Sequence, residues 1–237
     1  MELIWEGMKQ AFWLLVTGNP EIWSITWLSL QVSGSATLVS LLFGIPLGIL
    51  LAMSRFPGWS VSVALVNTGM GLPPVVVGLF VSIFLWRSGP LGFLELLYTP
   101  TAMVMAQVVI AFPIVAGLTL AAFQTLNRNL RLQLLGIGAS RLQLLYLLCK
   151  EARLPLLAAV MAGFGGVISE VGASMMVGGN IRGQTRVLTT ATVLETGKGN
   201  FDIAIALGLI LLVLSFAVNL LLTQIQQREQ IKWPKPS

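Results

Sequence analysis

The sequence predicts an all-α polytopic membrane protein with five transmembrane helices, and three observations carry this prediction. Of the 237 residues, 56% are hydrophobic and 10% are charged, whereas a soluble domain has about 25% charged residues. The mean hydropathy is +0.87. Five intervals almost free of charge reach the roughly 20 apolar residues that a spanning helix needs. Helices are expected because they satisfy every backbone polar group in lipid.

Charged residues mark the ends of the five predicted spans, and one charge, Glu170, interrupts the fourth span. We expect one membrane domain at 22–227, with a loop at 128–153 between the third and fourth spans and a tail at 228–237. The spans are predicted at about 22–54, 58–86, 98–127, 154–178 and 203–227.

Residues 1–21 are predicted to form a short helix at the membrane interface, followed by a linker. Trp5 and Trp13 lie there among charged residues, a composition typical of an interfacial anchor. Asn19 and Pro20 are expected to end the helix. No basic region precedes an apolar one, so we do not expect a signal peptide.

The distribution of Lys and Arg predicts the orientation of the chain. Five spans place the termini on opposite sides, and cytoplasmic segments carry the excess of basic residues. That rule favours an N-terminus outside and a C-terminus in the cytoplasm, with the loop 128–153 also cytoplasmic. The inner basic residues are then Arg55, Arg128, Arg131, Arg141, Lys150, Arg153, Arg228, Lys232 and Lys235, and the outer ones are Lys9, Arg87, Arg182, Arg186 and Lys198.

The residues that the chain lacks exclude several kinds of chemistry. There is no histidine and one cysteine, Cys149, which excludes Ser-His-Asp and Cys-His catalysis and most zinc sites. No G-x-x-x-x-G-K-[ST] sequence occurs, and Thr196–Gly199 (TGKG) is only a fragment of one. We therefore expect no catalytic residue, no metal, no cofactor and no nucleic-acid partner for this chain.

The segment Leu134–Pro155 (LLGIGASRLQLLYLLCKEARLP) is leucine-rich but too charged to cross a bilayer. As a helix it would be amphipathic. One interpretation is an interfacial helix that only covers its own bundle, and the other is a helix that contacts a second protein. The residues predicted to share its apolar face are Leu135, Leu142, Leu145 and Tyr146.

Gly138–Gln143 (GASRLQ), with Leu-Pro at the start of the next span, resembles the cytoplasmic signature of ATP-binding-cassette (ABC) importer permeases, often written E-A-A-x3-G-x9-I-x-L-P. Leu132 stands where that pattern has its acidic residue, and Pro155 lies about one helical turn later than in the pattern. The resemblance implies a coupling helix that docks in a groove of a separate ATPase subunit, and the glycine is expected to allow close helix approach. The implied contact residues are Gly138, Ala139, Ser140, Arg141 and Leu142.

Two further segments resemble the molybdate, sulfate and tungstate permeases of the same family. Gly71–Gly92 contains Leu-Pro-Pro-x-Val-x-Gly, and Ile168–Ala204 is most similar to the tungstate-type members. The resemblance covers roughly residues 22–225. It implies the type I importer permease fold in a bacterial or archaeal plasma membrane, with a homodimer enclosing the pathway. It also implies a dimer of ATPase subunits that binds ATP and Mg, and an extracytoplasmic oxyanion-binding protein.

Glu170 is the candidate gate residue, because a carboxylate in a membrane span costs about 2.5–3.5 kcal/mol and must face a cavity or a partner. A packing or gate-holding role is favoured over proton-linked gating and over contact with an anionic substrate. Ser169 and Ser174, beside it in sequence, are also candidates for the gate or pathway. Asn67 and Gln107, each shortly before a proline, are candidates for lining the pathway, although hydrogen bonding between helices is the commoner role of such residues.

The segment Gly178–Arg186 (GGNIRGQTR) is predicted to form an outer loop. Arginine and hydroxyl groups there suit a tetrahedral oxyanion. Docking of a binding protein through exposed arginines is an equal alternative. The residues that we assign to this site are Asn180, Arg182, Thr185 and Arg186.

These observations favour a permease subunit of an ATP-driven importer for an oxyanion, tungstate or molybdate first. The alternative is a secondary transporter driven by an ion or proton gradient, with Glu170 as the coupling acid. An intramembrane enzyme would need histidine or paired carboxylates in the spans, and neither is present.

Overall fold

The computed structural model describes Trp5, Gly7, Lys9, Trp13 and residues 19–231, and the predicted interfacial segment and tail lie largely outside these residues. The described residues form helices, turns and loops, and no strand occurs among them. The helices are α1 (Pro20–Met53), α2 (Trp59–Met70), α3 (Pro74–Leu85), α4 (Pro100–Gln124), α5 (Arg128–Gly136), α6 (Arg141–Glu151), α7 (Arg153–Ile168), α8 (Gly172–Gly178), α9 (Leu188–Gly197) and α10 (Phe201–Ile231), with a 3-10 turn at Gly92–Leu94.

Three helices are long and apolar enough to cross a membrane unbroken: α1, α4 and the Phe201–Gln227 part of α10. Two helix pairs reach that length only together, and both are bent. The angle between α2 and α3 is 106°, and the angle between α7 and α8 is 57°. By length and composition, the described residues therefore contain three helices that could span a membrane, or up to five spans if each bent pair is one span.

Proline explains one of the two breaks. Pro73 and Pro74 follow the end of α2 at Met70, and Pro74 takes the first position of α3, where its missing N–H leaves no helical bond unmade. Pro113 instead lies inside the continuous helix α4. Its ring packs against Gly69 of α2, where an added Cβ would come within 2.7 Å of the Pro113 Cβ.

Helices α1 and α4 pack together at the centre of the molecule, and small residues allow their close approach. An added Cβ at Gly48 would lie 2.6 Å from the Ala116 carbonyl oxygen. Ala106, Ala111 and Ala116 of α4 are all fully buried. Packing of this kind is what holds helices together in lipid, where burial of apolar surface gives no driving force.

The long helix α1 defines two ends of the molecule, about 50 Å apart. At the end that we call the Met53 end, Phe123 at the close of α4 forms a buried cluster with Leu144 and Leu148 of α6, and Met53 packs on it. At the opposite end, the Glu21 end, Glu21 contacts the loop that follows α8. The structure thus places α6 and that loop at opposite ends.

Candidate functional site

Glu170 lies in the break between α7 and α8, and its side chain caps the second helix. The side chain is buried, and its oxygens accept hydrogen bonds from the backbone N–H groups of Ala173 (2.9 Å to Oε1) and Ser174 (3.1 Å to Oε2). The first N–H groups of a helix have no partner inside the helix, and a negative charge is stabilised there. The carboxylate therefore fixes the direction in which α8 starts.

The same carboxylate belongs to a chain of buried polar groups that joins three helices. The Ser174 hydroxyl lies 3.2 Å from Glu170 Oε2, and the Gln107 amide nitrogen of α4 donates to the Ser174 oxygen at 3.3 Å. From α9, the Thr189 hydroxyl donates to the Glu170 carbonyl oxygen at 3.0 Å. Helices α4, α8 and α9 are thereby all connected to the break at Glu170.

The structure leaves two of the predicted gate or pathway residues outside this network. Ser169 is exposed, and its hydroxyl donates back to the Gly165 carbonyl oxygen at 2.8 Å. Asn67 is exposed on α2. Gln107, in contrast, is buried and takes the role of a hydrogen-bonding group between helices.

The loop after α8 is held by buried hydrogen bonds. The Thr185 hydroxyl donates to the Gly178 carbonyl oxygen and accepts from the Ile181 N–H at 3.0 Å. Asn180 has a φ of +51°, and its amide nitrogen donates to the Thr190 carbonyl oxygen at 3.3 Å. Of the four residues predicted for this site, Thr185 and Asn180 therefore shape the loop.

Arg182 is not a free cation, because it forms a two-bond ion pair with Glu21 at the start of α1. Its Nε and one terminal nitrogen donate to the two carboxylate oxygens, with an Nε–Oε1 distance of 2.7 Å. Arg186 lies 3.9 Å from Glu21 Oε1 and also donates to the Asn180 carbonyl oxygen at 3.5 Å. In the sequence, Glu21 is only the charged residue that precedes the first predicted span. It lies on the same predicted side of the membrane as the two arginines, which was the one indication that it could meet them.

These charges line a cleft of about 430 Å³, which we call the Glu21 cleft. Glu195 also lines the cleft, and it accepts from Lys198 at 2.8 Å and from the Asn200 side chain at 2.7 Å. The bonds from Asn200 and then Lys198 lower the pKa of the Glu195 carboxyl. The TGKG sequence thus forms a turn that is closed by an ion pair. The lining residues are Asn19, Glu21, Ile22, Ile25, Arg182, Arg186, Ala191, Glu195, Lys198, Ile203 and Leu207.

At the Met53 end, Gly138 links α5 to α6, and its backbone conformation gives a reason for a glycine besides the predicted close approach to a partner. An added Cβ would meet nothing within 4 Å, so close packing within this chain does not require a glycine. Its φ is +84°, a left-handed value that favours glycine. Ser140 then begins α6 with a capping box, in which its hydroxyl accepts from the Gln143 N–H and the Gln143 side chain accepts from the Ser140 N–H.

The four residues predicted to share one apolar face are not the ones that pack on the bundle, and they do not form a single face, because Leu135 lies in α5 and Leu145 of α6 is half-buried. Leu144 and Leu148 are buried, whereas Leu142 is 80% exposed and Tyr146 is 67% exposed. Leucines occur all round this helix, so the spacing alone did not identify the packed face. Ile137, just before Gly138, is 81% exposed and continues the exposed apolar surface. We call this surface, of Ile137, Leu142 and Tyr146, the coupling surface.

The other residues predicted to contact an ATPase lie along the same segment. Ser140 and Arg141 are exposed, and Ala139 is half-buried. Together with Gly138 they form the turn from which the coupling surface projects. The described residues contain no group of three side chains that could hold a metal ion.

Comparison with known proteins assigns the chain to a family. Residues 44–230 match the family described as binding-protein-dependent transport system inner membrane component. The chain is 43% identical to a tungstate uptake system permease protein of Peptoclostridium acidaminophilum, over 96% of this chain and 100% of that protein. It is 42% identical to a probable anion ABC transporter permease protein of Haloferax volcanii, over 86% of this chain and 90% of that protein.

The fold is also found among solved structures. The chain resembles the MetNI methionine ABC transporter in an inward-facing conformation, with a TM-score of 0.72 at 20% identity, over 92% of this chain and 97% of that chain. At this identity the likeness concerns the fold alone. It confirms the predicted fold class, an all-α importer permease. The chain belongs to the family of binding-protein-dependent transport system inner membrane components, and it is a multi-pass permease of an ABC transporter.

Proposed function

We propose that the chain is the permease subunit of an ATP-driven importer of an oxyanion, with tungstate as the first candidate and molybdate as the second. The observation that carries the proposal is the 43% identity, over 96% of the chain, to a protein named as a tungstate uptake permease. A relative from Escherichia coli, 30% identical, is named as a molybdenum transport permease. In this proposal two copies of the chain enclose the pathway, and ATP and Mg bind to separate ATPase subunits.

The coupling surface supports a partner at the Met53 end. Ile137, Leu142 and Tyr146 expose large apolar side chains in a segment that is too charged to lie within lipid. Exposed apolar groups that project from a rigid turn suit a groove on another protein. We assign that partner as the ATPase subunit, with Gly138–Leu142 at the contact.

Glu170 is proposed to hold the gate by setting the start of α8, rather than to bind the anion. Among the described residues, the hydrogen bonds that its two oxygens accept come from α8 itself, and its side chain is buried. Ser169 and Asn67 are exposed within apolar segments. Because lipid does not solvate the Asn67 carboxamide, we propose that Asn67 faces the aqueous pathway or the second copy. Ser169, which is bonded within its own helix, is proposed to lie at the same pathway beside Glu170.

The Glu21 end is proposed to face outward, where a binding protein would deliver the anion. This assignment follows from the excess of Lys and Arg in the loops predicted at the Met53 end. Arg182, whose side chain is 72% exposed, is then proposed to contact the binding protein. Arg186, 17% exposed, lies deeper in the Glu21 cleft.

Uptake of labelled tungstate by vesicles that carry the complete assembly tests the function. We expect uptake to require internal ATP and the binding protein, and to stop when the ATPase subunit carries a substitution that blocks hydrolysis. Labelled molybdate and sulfate measured in parallel define the anion. Uptake driven by an ion or proton gradient without ATP would support the secondary transporter instead.

A further inference from the structure

Two arginines share one carboxylate in the Glu21 cleft. Arg182 takes both oxygens of Glu21, while Arg186 lies 3.9 Å from Oε1. Of the described charged residues that line the cleft, three are cations and two are anions, and Lys198 pairs with Glu195 at 2.8 Å. The single carboxylate of Glu21 therefore lies beside two guanidinium groups. The charged side chains that line the cleft sum to one net positive charge.

The loop that bears these arginines does not depend on the ion pair for its shape. Buried bonds from Thr185 and Asn180 close the loop. The loop ends at α9, whose first N–H, that of Leu188, donates to the Ser29 hydroxyl of α1 at 2.9 Å. The Arg182 side chain is 72% exposed, and an exposed pair is screened by water and salt. The loop is thus held by buried hydrogen bonds, whereas the exposed Glu21–Arg182 ion pair can be replaced by another pair without changing the shape of the loop.

We propose that Glu21 is an exchangeable internal partner of Arg182, which an acidic side chain of the docking binding protein replaces. Glu21 then passes to Arg186, so that neither carboxylate loses its cation. The Arg186 guanidinium can accept Glu21 as a partner, because it is mostly buried beside Glu21. Its Nε also has no hydrogen-bond partner within the described part of the chain, so a donor is available. This inference rests on the proposed function, because it needs a protein that docks at the Glu21 end.

The test measures the association rate of the tungstate-loaded binding protein of the same system with the complete transporter in lipid nanodiscs, over a range of salt. Arg182→Gln should slow association, because the docking charge is lost. Glu21→Gln should speed association by up to about fivefold at low salt, because Arg182 no longer leaves an internal partner, and the gain should vanish at high salt. Glu95→Gln removes the same charge from another exposed residue at this end and should leave the rate unchanged.

A charge-swap variant distinguishes an exchange of the Arg182 partner from an ion pair that only tethers the loop. Glu21→Arg combined with Arg182→Glu keeps an internal pair but presents a carboxylate to the binding protein, so association should be at least as slow as with Arg182→Gln. A wild-type rate in the swap variant would show that the pair only tethers the loop. Equal slowing by Glu21→Gln and Arg182→Gln would show that the intact pair is the docking element. Either result overturns the proposal, whereas failure of the unaltered transporter to associate would count against the proposed function itself.

Discussion

The carboxylate of Glu170 serves three donors at once, and this decides what its replacement should do. Its two oxygens accept from separate backbone N–H groups, and the Ser174 hydroxyl adds a third contact. Glutamine has one acceptor oxygen and would turn its NH₂ group towards the other donor. The neutral analogue therefore preserves only part of the cap, which the sequence alone did not show.

We accordingly expect Glu170→Gln to retain partial uptake and Glu170→Leu to abolish it. Leucine leaves two buried N–H groups at the start of α8 without partners, at about 1–3 kcal/mol each. Tungstate uptake and the thermal unfolding temperature of the purified chain check both variants. If glutamine behaves like leucine in uptake while unfolding is unchanged, the charge itself is required and the proton-linked alternative gains support.

Ser174 and Ser169 form a matched pair for testing the buried network. Ser174→Ala removes the contact to Glu170 and the acceptor for Gln107, and should destabilise the chain by about 1–2 kcal/mol. Ser169→Ala removes one exposed bond to the preceding helical turn and should change little. Thermal unfolding in detergent compares the two, and equal shifts would argue against a structural role of the network.

Single residues could be identified from the sequence, but their contacts could not, because the contacts depend on how the chain is packed. Glu170 could be singled out because one charge in an apolar span is conspicuous. Its hydrogen bonds could not be predicted, because they depend on a break between α7 and α8 that a hydropathy profile does not detect. The pairing of Glu21 with Arg182 joins residues 161 positions apart, and only the packed bundle brings them together.

At the scale of elements, the charge-free intervals predicted where the apolar helices lie but not where they bend. The first, third and fifth predicted spans correspond to α1, α4 and α10 within a few residues. The second and fourth contain bends of 106° and 57°. The Pro-Pro pair marks the first bend in the sequence, whereas the second bend has no proline, and Glu170 caps the helix after it.

The turn between α5 and α6 offers a prediction with an internal control. Gly138→Ala should destabilise the turn by about 1 kcal/mol, because its φ of +84° is strained for any residue with a Cβ. Gly136→Ala adds the same methyl group in α5, where nothing lies within 4 Å and no left-handed φ is needed. We expect reduced co-purification of the ATPase with Gly138→Ala only. Equal effects would mean that the added methyl group, rather than the turn, matters.

Helix α6 has two apolar sides, and substitutions can separate their roles. Leu142→Glu changes an exposed residue of the coupling surface, and should abolish ATPase co-purification without lowering the unfolding temperature. Leu144→Ala empties a buried position, and should cost about 2–5 kcal/mol whether or not the ATPase is present. Unchanged co-purification with Leu142→Glu would remove the coupling surface from the interface.

At the scale of the whole molecule, the two ends differ in how they offer contacts. The Met53 end presents exposed apolar side chains, Leu142 and Tyr146 among them. The Glu21 end presents a cleft of mixed charge. An apolar contact suits a lasting complex, and a charged one suits a partner that arrives and leaves quickly. This difference fits the two proposed contacts, a lasting one with an ATPase at the Met53 end and a transient one with a binding protein at the Glu21 end.

The last prediction concerns which end faces outward. In a Cys149→Ala background, Gln184→Cys marks the loop at the Glu21 end, and Gln133→Cys marks α5 at the Met53 end. Both side chains are exposed. Cys149 has to be replaced because it is partly exposed, even though burial raises the pKa of its thiol and slows its reaction. A membrane-impermeant maleimide should label Gln184→Cys in intact cells and Gln133→Cys only after permeabilisation, because positive charge is retained in the cytoplasm. The reverse pattern would invert the proposed orientation, and would place the coupling surface where no ATPase could reach it.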